Sequence, residues 1–136
     1  MLSLKELFDF CIIDNHLDLN KNLHSINDIN EKDSETGWSL LSVAVFNHSL
    51  NCVNLLLSKG ANINIVNNNG TSILMYAKTK VFSNRNFSFL EYLINNGADL
   101  FIKDKFGKNV LDYVKEKNDL IMADFFINKM SEVSSS

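Results

Sequence analysis

Apolar residues recur along this chain in short runs at helical spacing, broken by polar clusters. Leu4, Leu7, Phe8 and Cys11 form the first run, and Leu17, Leu19 and Leu23 the second, with Asp14-Asn15-His16 as the turn between them. Leu41, Val43, Ala44 and Val45 follow. Asn47-His48-Ser49 interrupts them, and Leu50, Val53, Leu56 and Leu57 make the next stripe. This spacing predicts amphipathic helices paired through tight turns. Ser39, Ser72 and Asn109 each stand just ahead of an apolar run, where a side-chain oxygen can accept a bond from a free amide of the first turn. Gly60 and Gly97 stand just past the second stripe of their units, where glycine takes the left-handed conformation that closes a helix.

The pattern repeats. Residues from Gly37 onward return from Gly70 and again from Gly107, offsets of 33 and 37. Leu41, Ala44, Val53, Leu56 and Leu57 correspond to Leu74, Ala77, Leu90, Leu93 and Ile94, then to Leu111, Val114, Ala123, Phe126 and Ile127. Such a period predicts stacked helical units, each unable to bury its apolar stripe without a neighbour. The units run about 1–33, 34–66, 67–103 and 104–130, the outer two being caps with one wet face, and 131–136 is expected to be a disordered tail. Ile26 to Asn30 echoes Gly60 to Asn64, with one extra residue before Gly37. The offset grows from 33 to 37 between Ala77 and Leu90, so four extra residues predict a long loop within Lys78–Phe89.

These landmarks resemble the ankyrin repeat, closely over 34–130 and more loosely over 1–33. Gly37, Ser39, Leu41, Ala44, Val53, Leu56, Leu57, Gly60, Ala61 and Asn64 carry the resemblance in one unit; Gly70, Ser72, Leu74, Ala77, Leu93, Gly97, Ala98 and Asp99 carry it in the next. The resemblance implies an all-α solenoid of stacked antiparallel helix pairs with protruding, hairpin-like loops. Leu40, Ile73 and Val110 stand where the family has proline. Ser42, Met75 and Asp112 stand where it has histidine, which removes a hydrogen bond between loops. A stack less stable than a consensus array is expected, with the fold unchanged.

Composition narrows the chemistry. A net charge of -3 argues against a polyanion partner, since nucleic-acid binders concentrate Lys and Arg. No run approaches the roughly 18 apolar residues of a membrane span, and Met1 to Phe10 lacks the basic start and apolar core of a leader. Cys11 and Cys52, among apolar neighbours, read as buried reduced thiols and suggest a cytoplasmic protein. Twenty Asn, 12 Lys, one Arg and no Pro fit AT-rich coding sequence. His16, His24 and His48 lack metal-ligand spacing with the cysteines, and Asp14 and Asp18 read as solvated carboxylates near a helix start. No phosphate loop or nucleophile constellation is present, so neither cofactor nor metal is expected and the chain does not read as an enzyme.

The resemblance implies binding of a protein partner by the loop tips and the exposed side of the first helices. On this sequence that surface comprises Glu35, Thr36, Trp38, Phe46 and Asn47 in one unit. Val66, Asn68, Asn69, Thr71, Thr79 and Lys80 follow in the next, then Lys103, Lys105, Phe106 and Lys108. Trp38, the one tryptophan, is the leading anchor, because buried aromatics dominate interface energetics; the alternative is that its ring lies over the adjacent loop. The first tip is acidic (Glu31, Asp33, Glu35), the middle neutral and the last basic, a polarity that would orient a partner. The Lys78–Phe89 segment is a second candidate contact. A short chain made of little but the stack is expected to be a monomer when free and to act by occupying or blocking its partner. A toxin-neutralising immunity protein is the first reading, a bacterial or viral effector binding a host protein the next, then a scaffold, then an enzyme with a cryptic site.

Overall fold

The computed structural model describes residues 1–135, which form eight α-helices in four antiparallel pairs. The inner helices are α1 (Leu4–Ile12), α3 (Leu40–Phe46), α5 (Ile73–Asn84) and α7 (Val110–Glu116). The outer ones are α2 (His16–Asn22, continued by a 3-10 turn over Leu23–Ser25), α4 (Leu50–Ser58), α6 (Phe87–Asn95) and α8 (Leu120–Ser135). Inner helices pack side by side along the stack, α1 on α3 on α5 on α7. Leu56, Leu93 and Phe126 are all fully buried, in the same place of successive units.

Inner helices of seven residues are too short to persist alone in water. Two things hold them. Packing is the first: Leu40 to Val45 of α3 are buried all round, because α1 and α5 flank the helix and α4 backs it. Reciprocal capping is the second. Ser39 Oγ accepts from the Ser42 amide at 3.2 Å while Ser42 Oγ accepts from the Ser39 amide at 2.8 Å. Ser72 with Met75, and Asn109 with Asp112, repeat the arrangement, Met75 using its sulfur. Ser42, Met75 and Asp112, which replace the expected histidine, thus close the caps themselves.

Two expectations are corrected. The four-residue insertion does not lengthen a loop; it lengthens α5, which has 12 residues against 7 in α3 and α7. Four residues are close to one 3.6-residue turn, so the added Val81 returns to the buried face and the stripe stays in phase. Phe89 is buried and Phe87 half-buried at the start of α6. The 131–135 tail is helical, because α8 runs on to Ser135; Ser136 lies outside the described residues. Met130 occupies the place of Gly60 and Gly97 and packs against the core, so nothing closes the helix there. Lys129 then bridges Glu91 of α6 at 2.8 Å and Glu132 at 3.7 Å, fastening the extension. Ile127, whose counterparts Leu57 and Ile94 are half-buried, is 40% exposed on this terminal unit.

Candidate functional site

Three loops project beyond the inner helices. Each is built on one acceptor. Asp33 accepts from the Thr36 amide (3.0 Å) and hydroxyl (2.9 Å), Asn67 Oδ1 from the amides of Asn69 and Thr71, and Asp104 Oδ1 from those of Phe106 and Lys108. The first loop holds one more residue between its acceptor and its glycine than the other two, which places the extra residue seen before Gly37. No strand forms among the described residues, yet the tips are joined by main-chain bonds. The Asn68 amide donates to Thr36 O (3.4 Å) and the Lys105 amide to Asn69 O (2.9 Å).

The angle between loop and helix is set by a tyrosine in two units. Asn67 Nδ2 donates to the Tyr76 hydroxyl at 2.8 Å, and the Tyr113 hydroxyl donates to Asp104. That bond pushes Tyr113 up to about 12. Burial works against the Asp104 carboxylate, but the bonds from Tyr113 and the two amides outweigh it and hold the group below its ordinary range. The nine-residue spacing, repeated 37 residues later, was a legible signal of this strut.

Loops and inner helices enclose a concave face. Trp38 is half-buried there in a triangle of rings, 6.4 Å from Phe46 and 5.9 Å edge-on from Tyr76, with Phe46 and Tyr76 6.4 Å apart. It therefore leans on α3 and α5 and leaves part of its ring to solvent. Beyond the triangle a groove of about 270 Å³ runs between α5, α7 and the last loop, lined by Phe46, Thr71, Tyr76, Lys78, Thr79 and Tyr113 among others.

The other sequence-flagged residues divide. Glu35, Thr36, Asn68 and Asn69 are exposed at the tips, although Asn68 Nδ2 is tied to Glu35 O at 3.1 Å. Asn47 is engaged within the stack, donating to Val43 O at 2.8 Å and accepting from Lys80 Nζ at 3.4 Å, so that pair braces the end of α3. On the last tip Lys103, Lys105 and Phe106 are exposed, with Lys105 Nζ 5.2 Å over the Phe106 ring, while Lys108 pairs with Glu116 and lies over Tyr113. Sequence reasoning missed Tyr76 and Tyr113, and named Lys78 only as the first residue of the Lys78–Phe89 segment. Lys78 Nζ donates to Met75 O at 2.9 Å and sits 5.3 Å over the Tyr113 ring, and burial, reinforced by Lys117, brings it down to about 8.

The remaining titratable groups serve the stack. His48 Nε2 bonds Ala77 O at 2.9 Å and its ring stacks on Phe89 at 4.2 Å. Asp14 accepts from the Cys52 amide at 2.9 Å, whereas Asp18 bonds Asn15, so the two carboxylates do not form a pair. Cys11 and Cys52 are free and buried, and the neighbouring Cys52 together with burial pushes the Cys11 thiol up. No cluster of three metal-ligating side chains forms among the described residues, and no described helix is long and apolar enough to cross a membrane.

A family model described as ankyrin repeats (3 copies) matches residues 8–104. No curated protein matches the chain. The matched span runs from within α1 through α6, and the fourth pair repeats the caps and turns of the pairs before it. The chain therefore belongs to the ankyrin-repeat family, whose stacked units form a protein–protein interaction module.

Proposed function

We propose that the chain occupies and blocks one protein partner through its concave face, as a small inhibitor of the kind that neutralises a toxin. The observation that carries this reading is the triangle of Trp38, Phe46 and Tyr76. It gathers three aromatic rings on an open surface, and its half-buried Trp38 and Phe46 keep area to offer a partner. Rigid aromatic anchors of this kind supply much of the energy of protein interfaces. The polarity of the tips, with Glu31 and Glu35 at one end and Lys103 and Lys105 at the other, fits a partner of opposite polarity docking in one orientation.

Affinity capture from the native cell should return one dominant partner. Trp38→Ala with Phe46→Ala should weaken that complex about a hundredfold or more, the effect of losing two hot-spot side chains, while the helical circular-dichroism signal stays intact. Co-expression should suppress the partner's toxicity. Full capture by the double mutant would remove the concave face as the site, and a partner whose activity persists in the complex would remove the blocking role.

A further inference from the structure

Lys78 is a cation placed where a cation is costly. Its ammonium lines the concave groove and its one hydrogen bond is to Met75 O, a carbonyl of its own helix. Among the described residues no carboxylate lies within ion-pair distance of it. Asp104 lines the same groove, but its oxygens are engaged by the Phe106 and Lys108 amides and the Tyr113 hydroxyl. On α7, Glu116 is paired with Lys108 and attracts Lys78 only from beyond ion-pair distance, and Lys117 adds repulsion. The groove thus presents an ammonium with two donors unused, over the face of Tyr113, beside the apolar rim of Phe46 and Tyr76. Lysines drawn away from water are normally paired. Lys78 is half-buried and has no ion-pair partner among the described residues.

We propose that the groove receives an Asp or Glu side chain of the protein partner, with an apolar side chain of the same segment resting on Phe46 and Tyr76. The inference rests on the concave face being the binding surface. At about 270 Å³ the groove falls below the roughly 300–1,000 Å³ of sites that enclose whole small molecules, and suits one or two side chains of a larger partner. Binding restores the missing counter-charge, so the carboxylate and the protonated lysine stabilise each other. The free ammonium titrates near pH 8, so affinity should fall as pH is raised from 7 to 10.

The test is a random peptide display library panned against the full chain at pH 7. Enriched peptides should share an acidic residue next to a bulky apolar one. A synthetic representative should lose about tenfold or more in affinity when its acid is changed to the amide or when the protein carries Lys78→Met, as for loss of a charge-assisted hydrogen bond. Lys59→Met, on the outer surface, should leave affinity unchanged. The weakening between pH 7 and 10 should disappear in Lys78→Met, a readout that a packing role for the lysine would not move. Enriched peptides without an acidic position, equal binding to Lys78→Met, or no enrichment at all would each overturn the proposal. If such peptides still require Trp38 and Phe46, the concave-face reading survives; if they bind the Trp38→Ala, Phe46→Ala protein equally well, that reading fails too.

Discussion

Along its loop edge each unit grips the next mainly through the main chain, with Asn68 Nδ2 to Glu35 O as an added side-chain bond; along its turn edge it does so through side chains. On the loop edge Gly37 and Gly70 have positive φ and sit against the following loop. A Cβ on Gly37 would lie 2.4 Å from Asn68 Oδ1 and 2.6 Å from its amide nitrogen, and one on Gly70 3.0 Å from Asp104 Cα. On the turn edge the left-handed position between paired helices is held by Asp14, His48, Arg85 and Asn118, none of them glycine. Each of the first three reaches forward by a different chemistry. Asp14 takes the Cys52 amide, His48 bonds Ala77 O, and Arg85 forms a two-pronged ion pair with Asp119. Where backbone meets backbone only one residue type fits; where a side chain spans the gap, several do.

The sharpest way to break that contrast is Gly37→Ala. The new methyl meets both left-handed strain and the Asn68 main chain, and unfolding in urea should show a loss of about 3 kcal/mol. Gly107→Ala is the control, since its Cβ would face open space; it should lose only the strain, about 1 kcal/mol. Equal losses at the two sites would show that conformation alone, and no close approach, selects glycine on this edge.

Between the edges the concave face supplies the converse case, a charge with no ion-pair partner among the described residues. Lys78 is brought from 10.5 to about 8 on folding. Between those values the unfolded chain keeps a proton that the folded one has released, so stability rises with pH across the window, and the full penalty applies below about pH 8. A shift of that size corresponds to about 3 kcal/mol. Allowing for the lost bond to Met75 and the contact with Tyr113, Lys78→Met should stabilise the fold by about 2 kcal/mol at pH 7. The gain should shrink toward pH 10.5. A destabilised variant at pH 7 would mean that the ammonium is a structural prop.

Asp14→Ala probes the turn edge. It leaves the Cys52 amide and the Asn51 side chain without their acceptor and puts alanine at φ 57. The expected loss is about 1.5 kcal/mol by thermal or urea unfolding. Asp14→Asn keeps an acceptor oxygen and a residue that tolerates the left-handed region, so it should recover most of this.

The same contrast explains what the sequence made legible. The loop edge repeats in residue type, with Asp33, Asn67 and Asp104 ahead of Gly37, Gly70 and Gly107, so its period can be read directly. Asp14, His48, Arg85 and Asn118 share a conformation and no chemistry, so no pattern marks them. The insertion read as a loop because four residues so nearly complete a helical turn that the apolar stripe resumes unbroken. The tail read as disordered because Ser134 to Ser136 suggest it, whereas α8 is held by Lys129 and Glu91, far apart in sequence. Trp38 and the tips were legible from their positions; the groove was not, because lysine is ordinarily exposed and the burial of Lys78 comes from the next unit.

The smallest effect belongs to His48, and it tests whether the turn edge tolerates exchange of chemistry at a fixed conformation. Burial lowers its pKa; the bond to Ala77 opposes this, and Lys80 adds to the lowering. The folded value therefore lies below 6.5, and on acidification the unfolded chain takes up its proton first. Stability should fall as pH drops below 6.5 and through the folded value. His48→Asn installs the residue that stands at the matching turn in the last unit, Asn118, whose φ of 57 nearly equals the 55 of His48. The backbone should accept it, at the cost of the bond to Ala77 and the stack on Phe89. Because carboxylates titrate in both proteins, the informative quantity is the difference in unfolding free energy between wild type and variant. That difference should move in the variant's favour from pH 7 to pH 5. A difference flat with pH would mean that the ring's environment leaves its titration unchanged on folding, and that His48 holds its turn by shape alone.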